Sequence, residues 1–546
     1  MKIAEIGEIL LKKGKVTREQ LDFCLMIQKQ TKGKEKIGRI MKYYNFVSDD
    51  DIGMALAEQV GWRFFTVEYV PHLPAVEVLG LDFIKNRTCL PVETEKGVAF
   101  VFVHPFDTET TDILNEKGYG DKEFYIGSEG TIFFYIDSLI NQRNRKDIDQ
   151  KIKAIKTDGI VGNELLELLD QLLDDAIALR ATDIHIEPGE KICAVRFRID
   201  GILYHKVCLP KEIHDNLVNV VFNKAGINIS DFLRFHDGRF QHQYLNHQVD
   251  IRISCIPSSC GAAVVMRLLD IGKVVMDLNK LGFNQKHMQA IWKATEQPYG
   301  ITIITGPTGS GKTTTLYALL NYIKSLSTKI VTIEDPIEIK MPLVNQVQIN
   351  EKQGITFASA VRSFLRHDPD VILIGEIRDT ETAIEACRAA ITGHKVFSTL
   401  HTNTAADCVY RLMDLGVDIA HIANSVNCVV SQRLIRKLCG FCRRKAVLSY
   451  NELPEVKRKY FEAAGEKVTV YTPNGCERCQ DGYRGRAIIA ETLYFNDIVR
   501  SRIARKDLNV LREIAQDKDY ITLQRDAARL IKCGDISLEE ALRVVG

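Results

Sequence analysis

No stretch of this 546-residue sequence reaches the ~18 consecutive apolar residues that a membrane-spanning helix needs. The first residues, MKIAEIGEILLKKGK, alternate charge with apolar side chains and lack the apolar core of a secretion signal. The expectation is a cytoplasmic chain that meets a membrane only through a partner or a surface patch. An excess of one charge is also missing. The 72 Lys+Arg offset 71 Asp+Glu to a net +1, which argues against a protein built mainly to coat nucleic acid. Local basic patches stay open. Fourteen prolines exclude a collagen-like chain, and 45% hydrophobic content excludes wholesale disorder. The fourteen cysteines are scattered, not framed, so most should be reduced thiols. At ~100–200 residues per domain the length suggests three domains.

A repeat opens the chain. Residues 5–28 and 36–59 match at Ile6/Ile37, Gly7/Gly38, Leu10/Met41, Val16/Val47, Leu21/Ile52, Leu25/Leu56 and Gln28/Gln59. Each unit reads as a short amphipathic helix, a turn and a second helix, with Thr17 and Ser48 as N-caps before acidic first turns. Residues 90–107 alternate like a strand and end in a turn. The N-terminal domain is taken as 1–142, and 143–159, charged and poor in large apolar residues, as a linker. A second α/β domain is read at 160–272, from a leucine-rich helix at 163–180 and strands at 183–188, 192–204 and 249–257. A third runs from 276 to 546.

Residues 301–305 form a short buried-strand pattern leading into Gly306-Pro307-Thr308-Gly309-Ser310-Gly311-Lys312-Thr313, followed by Thr314 and a helical pattern. This is the G-x-x-x-x-G-K-[ST] phosphate loop. Its glycines let backbone N–H groups curl around phosphates. Lys312 can reach the β- and γ-phosphates, and the Thr313 hydroxyl can hold Mg²⁺. Two further buried strands end in acids: Glu334, Asp335 and Glu338 after 331–333, and Glu376 after 371–374. Open α/β sheets bind ligands at the carboxyl ends of strands, so both clusters should face the phosphates. His401 closes another short strand, where an imidazole can report the γ-phosphate; His394 sits before it.

GPTGSGKTT (306–314), IEDPIE (333–338), LIGEIRD (373–379) and ITGHKVFSTLHTN (391–403), in that order, closely resemble the Walker A motif, Asp box, Walker B motif and His box of the secretion ATPase superfamily, GspE/PulE/PilB type. Upstream, ATDIHIEP, FRIDGIL, HDGRF and VDIRISCIP–VVMRLL resemble its second N-terminal domain; downstream, GYRGRAIIAE and the tail LEEALRVVG fit as well. The resemblance implies an α/β chain: a RecA-like P-loop NTPase domain with a zinc subdomain, preceded by a PAS-like α/β domain and an N-terminal helical-repeat α/β domain. It implies ATP hydrolysis with Mg²⁺, driving type II secretion or type IV pilus assembly from a homohexameric ring. Lys312 and Thr313 would bind phosphate and Mg²⁺. Glu338 would polarise the water, Glu376 would support Mg²⁺, and His401 would sense the γ-phosphate. Arg252 and Arg267, from the second domain, would stabilise phosphate, with Arg239 a weaker candidate. Arg362, Arg366, Arg378 and Arg486 match positions near the nucleotide. Gly261-Ala262 and residues 229–239 depart from the family pattern. A nucleic-acid translocase on the same core is the rival, opposed by the neutral charge; no nucleic acid is expected as a partner.

Cys439-x-x-Cys442 and Cys476-x-x-Cys479 fall in one stretch of the third domain, about 434–485. One such pair would be weak, but two suit a closed tetrahedral Zn(Cys)₄ site of structural role. Retraction motors of the family lack this module and the long N-terminal domain, so the resemblance is to the assembly and secretion branch. The N-terminal units resemble the MshE-type repeat, whose known ligand is cyclic di-GMP. Here Glu5 and Lys36 stand at the leading arginine positions and Asn45 replaces the mid-repeat glycine. A carboxylate where a diphosphate needs a cation is repulsive. Docking to the cytoplasmic domain of an inner-membrane platform or adaptor protein is the favoured role, with cyclic di-GMP the alternative.

Overall fold

A computed structural model describes residues 6–31, 35–66, 71–104, 108–144, 162–228, 234–244, 247–270, 277–451, 453–461, 467–476 and 478–546. Glu5, positions 229–233 and the linker beyond Asn144 lie outside them. The chain divides into two compact units, 1–274 and 275–546, described separately below. Among the described residues no helix is long and apolar enough to cross a membrane.

In the first unit the repeat folds as helices α1 (Ile6–Lys12), α2 (Arg18–Gln30), α3 (Ile37–Tyr43) and α4 (Asp49–Val60). Thr17 and Ser48 each make a capping box, with Gln20 and Asp51. Gly14 (φ +67°) and Asn45 (φ +55°) hold the same left-handed turn, so asparagine replaces glycine without breaking the repeat. Gly7 lets α1 and α2 pack closely: a Cβ there would meet Leu21 Cδ1 at 2.7 Å, and that methyl would have to move. Strands β1 (Arg63–Phe64), β2 (Cys89–Thr94), β3 (Gly97–Phe102) and β4 (Glu123–Ile126) make a mixed sheet in the order β1-β4-β3-β2.

The same unit carries a second, six-stranded sheet: β5 (Ala181–Pro188), β6 (Ile192–Ile199), β7 (Ile202–Pro210), β8 (His236–Tyr244), β9 (His247–Ser258) and β10 (Gly261–Asp270), in the order β7-β6-β5-β10-β9-β8. Every pair in it is antiparallel. Its strands alternate buried and exposed positions. The buried side chains share one core with the helices Gly162–Ala178 and Lys211–Ala225, leaving the other face polar. The single strand expected over 192–204 is two strands: Asp200 (φ +48°) and Gly201 (φ +88°) turn the chain in a tight hairpin. Asp-Gly favours that turn, a local signal that apolar periodicity does not carry.

The second unit is built on β11 (Gly300–Thr305), β12 (Ile330–Glu334), β13 (Val344–Gln348), β14 (Val371–Ile374), β15 (Lys395–Leu400), β16 (Val426–Leu438) and β19 (Tyr483–Tyr494). They order as β13-β12-β14-β15-β11-β16-β19, parallel except for the last pair. β11 and β14 are buried at every position, because helices cover both faces of a parallel sheet. This is the RecA-like core. The hairpin β17 (Arg444–Ser449)–β18 (Lys467–Thr472) sits between the two Cys-x-x-Cys pairs.

The C-terminal helix Leu538–Val545 is fastened to β16 by Glu540, which accepts from Arg436 (Nη2, 2.7 Å) and Arg543 (Nε, 2.9 Å). Burial alone would push this carboxyl up, but Arg543 and Arg436 outweigh it and hold it at about 2. A depressed carboxyl adds stability above its unfolded pKa and loses it as pH falls toward the folded value. Glu540→Gln should cost on the order of 3 kcal/mol at pH 7. In melting curves the gap from the parent should narrow steadily below pH 4.5, the group's ordinary value. A pH-independent gap would contradict this.

Candidate active site

The phosphate loop joins β11 to the helix Lys312–Ile323. Gly306, Gly309 and Gly311 take φ of +144°, +79° and +87°. A Cβ on Gly306 would run into the Gln432 carbonyl, so that position must be glycine. Gln432, fully buried in β16, clamps the loop from below: its Nε2 donates to Ser310 O (2.8 Å) and its Oε1 accepts from Thr315 Oγ1 (2.9 Å). Lys312 Nζ folds back onto the carbonyls of Gly306 (2.8 Å) and Pro307 (3.1 Å). Burial lowers its pKa and Glu376 partly restores it. The buried Ser310 Oγ has no hydrogen-bond partner among the described residues. A glycine cradle, an orphaned hydroxyl and an ammonium resting on loop carbonyls fit a polyphosphate.

Three strand ends converge beside Lys312. Glu376, after β14, pairs with Arg378 and lies 3.6 Å from His401 Nε2. Arg378 also reaches Asp335 (3.3 Å). Burial, with Lys312 adding, lowers the His401 pKa against the pull of Glu376, so its ring is neutral at pH 7. Thr305 Oγ1 accepts from Thr402 N (2.8 Å), tying the phosphate-loop strand to the His401 turn.

Glu334 departs from the expectation that its whole cluster faces the phosphates. It is 4% exposed, accepts from Thr332 Oγ1 (2.6 Å) and Gln346 Nε2 (3.0 Å), and takes the hydroxyl proton of Tyr317 in a hydrogen bond. Burial and Glu334 drive the Tyr317 pKa far up, so the phenol stays protonated. Tyr317 Oη also accepts from the backbone N–H of Glu338 (3.3 Å). Glu334 is thus a strut, and Tyr317 fixes the Glu338 loop to the phosphate-loop helix while the Glu338 side chain stays exposed. His394 lies at the opposite end of β15 from His401 and bonds Ala389 O (3.1 Å), a turn role. Arg362 pairs with Glu381 (2.6 Å), Arg366 donates to Arg362 O, and Arg486 stands across from Arg436 in the β16–β19 ladder. Tyr317 and Gln432 were missed in the sequence. A Gln just after the apolar stretch Cys428–Val430 of β16 was the available signal for the second.

In the first unit, Arg239 of β8 stands opposite Arg252 of β9, and Arg252 opposite Arg267 of β10. The three line a cavity of about 590 Å³ on the polar sheet face. Like charges directly opposite repel, so such a row favours an anion.

The four cysteines at 439, 442, 476 and 479 bring their sulfurs within 4.8 Å of one another. Sγ–Sγ distances of 3.8 Å (Cys439–Cys476), 3.7 Å (Cys442–Cys479) and 3.6 Å (Cys476–Cys479) are far too long for disulfides. They equal the edge of a tetrahedron with Zn–S bonds of ~2.3 Å, about 3.8 Å. The set fits zinc. Phe441 at its tip lies under Arg478 (4.7 Å) and Arg484 (5.6 Å).

The family described as "Type II/IV secretion system protein" matches residues 162–543. The chain is 34% identical over 495 residues to type II secretion system protein E of Xanthomonas campestris, covering 86% of this chain and 85% of that one. It is 38% identical over 440 residues to the type IV pilus assembly ATPase PilB of Myxococcus xanthus, covering 78% and 75%. Among solved structures, the Legionella pneumophila ATPase DotB superposes with a TM-score of 0.52 at 22% identity, covering 68% of this chain and 94% of that one, a likeness of fold.

Proposed function

Because this chain belongs to the type II/IV secretion system protein family and is an ATP-hydrolysing enzyme, we propose that it is the cytoplasmic motor that powers assembly of a pseudopilus or pilus. The observation that carries the reading is the meeting of Lys312, Glu376, Arg378 and His401 at the carboxyl ends of one parallel sheet, above a loop with an orphaned Ser310 hydroxyl. Lys312 exchanges the carbonyls of Gly306 and Pro307 for β- and γ-phosphoryl oxygens. Gly306 through Thr314 cradle the phosphates. Thr313 and Glu376 would hold Mg²⁺, which when bound neutralises charge on those oxygens. Glu338 orients the attacking water, and the neutral His401 ring reports the γ-phosphate. Arg252 and Arg267, with Arg239, meet the charge that develops during transfer; a permanent planar cation suits that task. In a homohexameric ring, rotation of the 160–272 domain against the 276–546 domain would carry these arginines to and from the nucleotide. The 1–142 domain docks the ring to the cytoplasmic part of an inner-membrane platform or adaptor protein. The chain is then peripheral to that membrane.

In host cells carrying Glu338→Gln in place of the parent chain, filament display or cargo export should stop at unchanged protein level. Output equal to the parent's would overturn the motor reading.

The Cys439, Cys442, Cys476 and Cys479 site binds Zn²⁺ structurally, since four thiolates leave no open position. Cys476→Ser should drop zinc content from about one per chain to near none and lower the melting temperature by several degrees. Full zinc content in the variant would contradict the assignment.

A further inference from the structure

The row of arginines continues past Arg267. Arg267 stands opposite Asp183 of β5, and Asp183 opposite Arg198 of β6, so five strands present Arg239, Arg252, Arg267, Asp183 and Arg198 side by side. Asp183 is the sole anion in that row and is buried at 6% exposure. Its Oδ1 accepts from Arg267 Nε (3.0 Å). Its Oδ2 accepts from Thr182 Oγ1 (2.8 Å) and lies 3.7 Å from Arg198 Nε. The carboxylate is therefore held by Thr182 while it grips Arg267.

The point of attachment on Arg267 decides what the contact can do. A bond at Nε fixes the guanidinium plane but leaves the Nη1/Nη2 edge, the fork that meets two oxygens of a phosphate at once. The Arg267 side chain is 67% exposed, which leaves the guanidinium open to a ligand. Without the carboxylate, Arg267 would face Arg252 on one side with nothing to hold it from the other, and repulsion would swing it away. We propose that Asp183 is a positioning residue that aims the Nη edge of Arg267 at transferring phosphate. The proposal rests on the reading of Arg267 as a phosphate-stabilising arginine.

The test is a double-mutant cycle in ATP hydrolysis by the full chain. Asp183→Ala should lower kcat on the order of 10- to 100-fold, the cost of a misplaced group, with KM for ATP little changed. Asp183→Asn keeps a carbonyl oxygen that can accept from Nε, and should retain kcat within about threefold. In an Arg267→Ala background, Asp183→Ala should add less than about twofold. An equal fall in both backgrounds, or an Asn variant as impaired as the Ala variant, overturns the positioning role by showing a structural or purely electrostatic one. Parent-level kcat in Asp183→Ala beside an impaired Arg267→Ala overturns the positioning role alone. Parent-level kcat in Arg267→Ala overturns the arginine assignment beneath it, and the positioning role with it.

Discussion

Lys312→Ala should remove ATP hydrolysis, with kcat/KM down by at least about 10³-fold, or ~4 kcal/mol of transition-state stabilisation. Two features set this size. The ammonium is half-buried, and burial depresses its pKa, so its charge acts through little water. It is also pre-placed: its hydrogen bonds to the Gly306 and Pro307 carbonyls keep it over the loop before phosphate arrives. Alanine loses a ground-state contact and a transition-state contact together, so both ATP affinity and turnover should fall. The fold should survive, because the helix Lys312–Ile323 stays anchored in the core by Leu316, Tyr317, Ala318, Leu319 and Leu320, which the substitution leaves in place. A variant that melts like the parent but neither binds nor cleaves ATP is the expected result. Turnover within tenfold of the parent would remove Lys312 from the site.

Glu338→Gln should behave differently. The Glu338 backbone is pinned by Tyr317, so the loop keeps its place when the side chain changes. The side chain is exposed, while Glu334, Thr332 and Gln346 bond to one another beneath the loop. Glutamine matches glutamate in shape but cannot take a proton from water. Loss of a positioned base costs ~10²–10⁴-fold in rate. ATP affinity should stay within about threefold if, as proposed, Glu338 meets the water and not the phosphates. Measured by kinetics and by equilibrium nucleotide binding, the pair of substitutions separates holding ATP from cutting it.

The parts of the candidate site were legible because each is local. The phosphate loop, the acids that end β12 and β14, and His401 are each readable within a few residues, and the loop's glycines carry the φ angles the pattern demands. The caps Thr17 and Ser48, and the Gly14/Asn45 turn, were legible for the same reason. What escaped depends on partners far along the chain. Glu334 looks like its acidic neighbours until Tyr317, 17 residues earlier, turns it inward. Gln432 acquires a role only when β16 pairs beside β11 and delivers it under Ser310, 122 residues away. The arginine row exists only in the register of β8, β9 and β10, which no spacing in the sequence fixes.

On the proposed reading this loop, with Glu338, hydrolyses ATP. Phosphate release from ATP by the full chain, run beside its Glu338→Gln variant with nucleotide binding measured on both, tests it most directly. Steady release by the parent, and ATP binding without release by the variant, are the expected results. Equal phosphate release from the two proteins would contradict it.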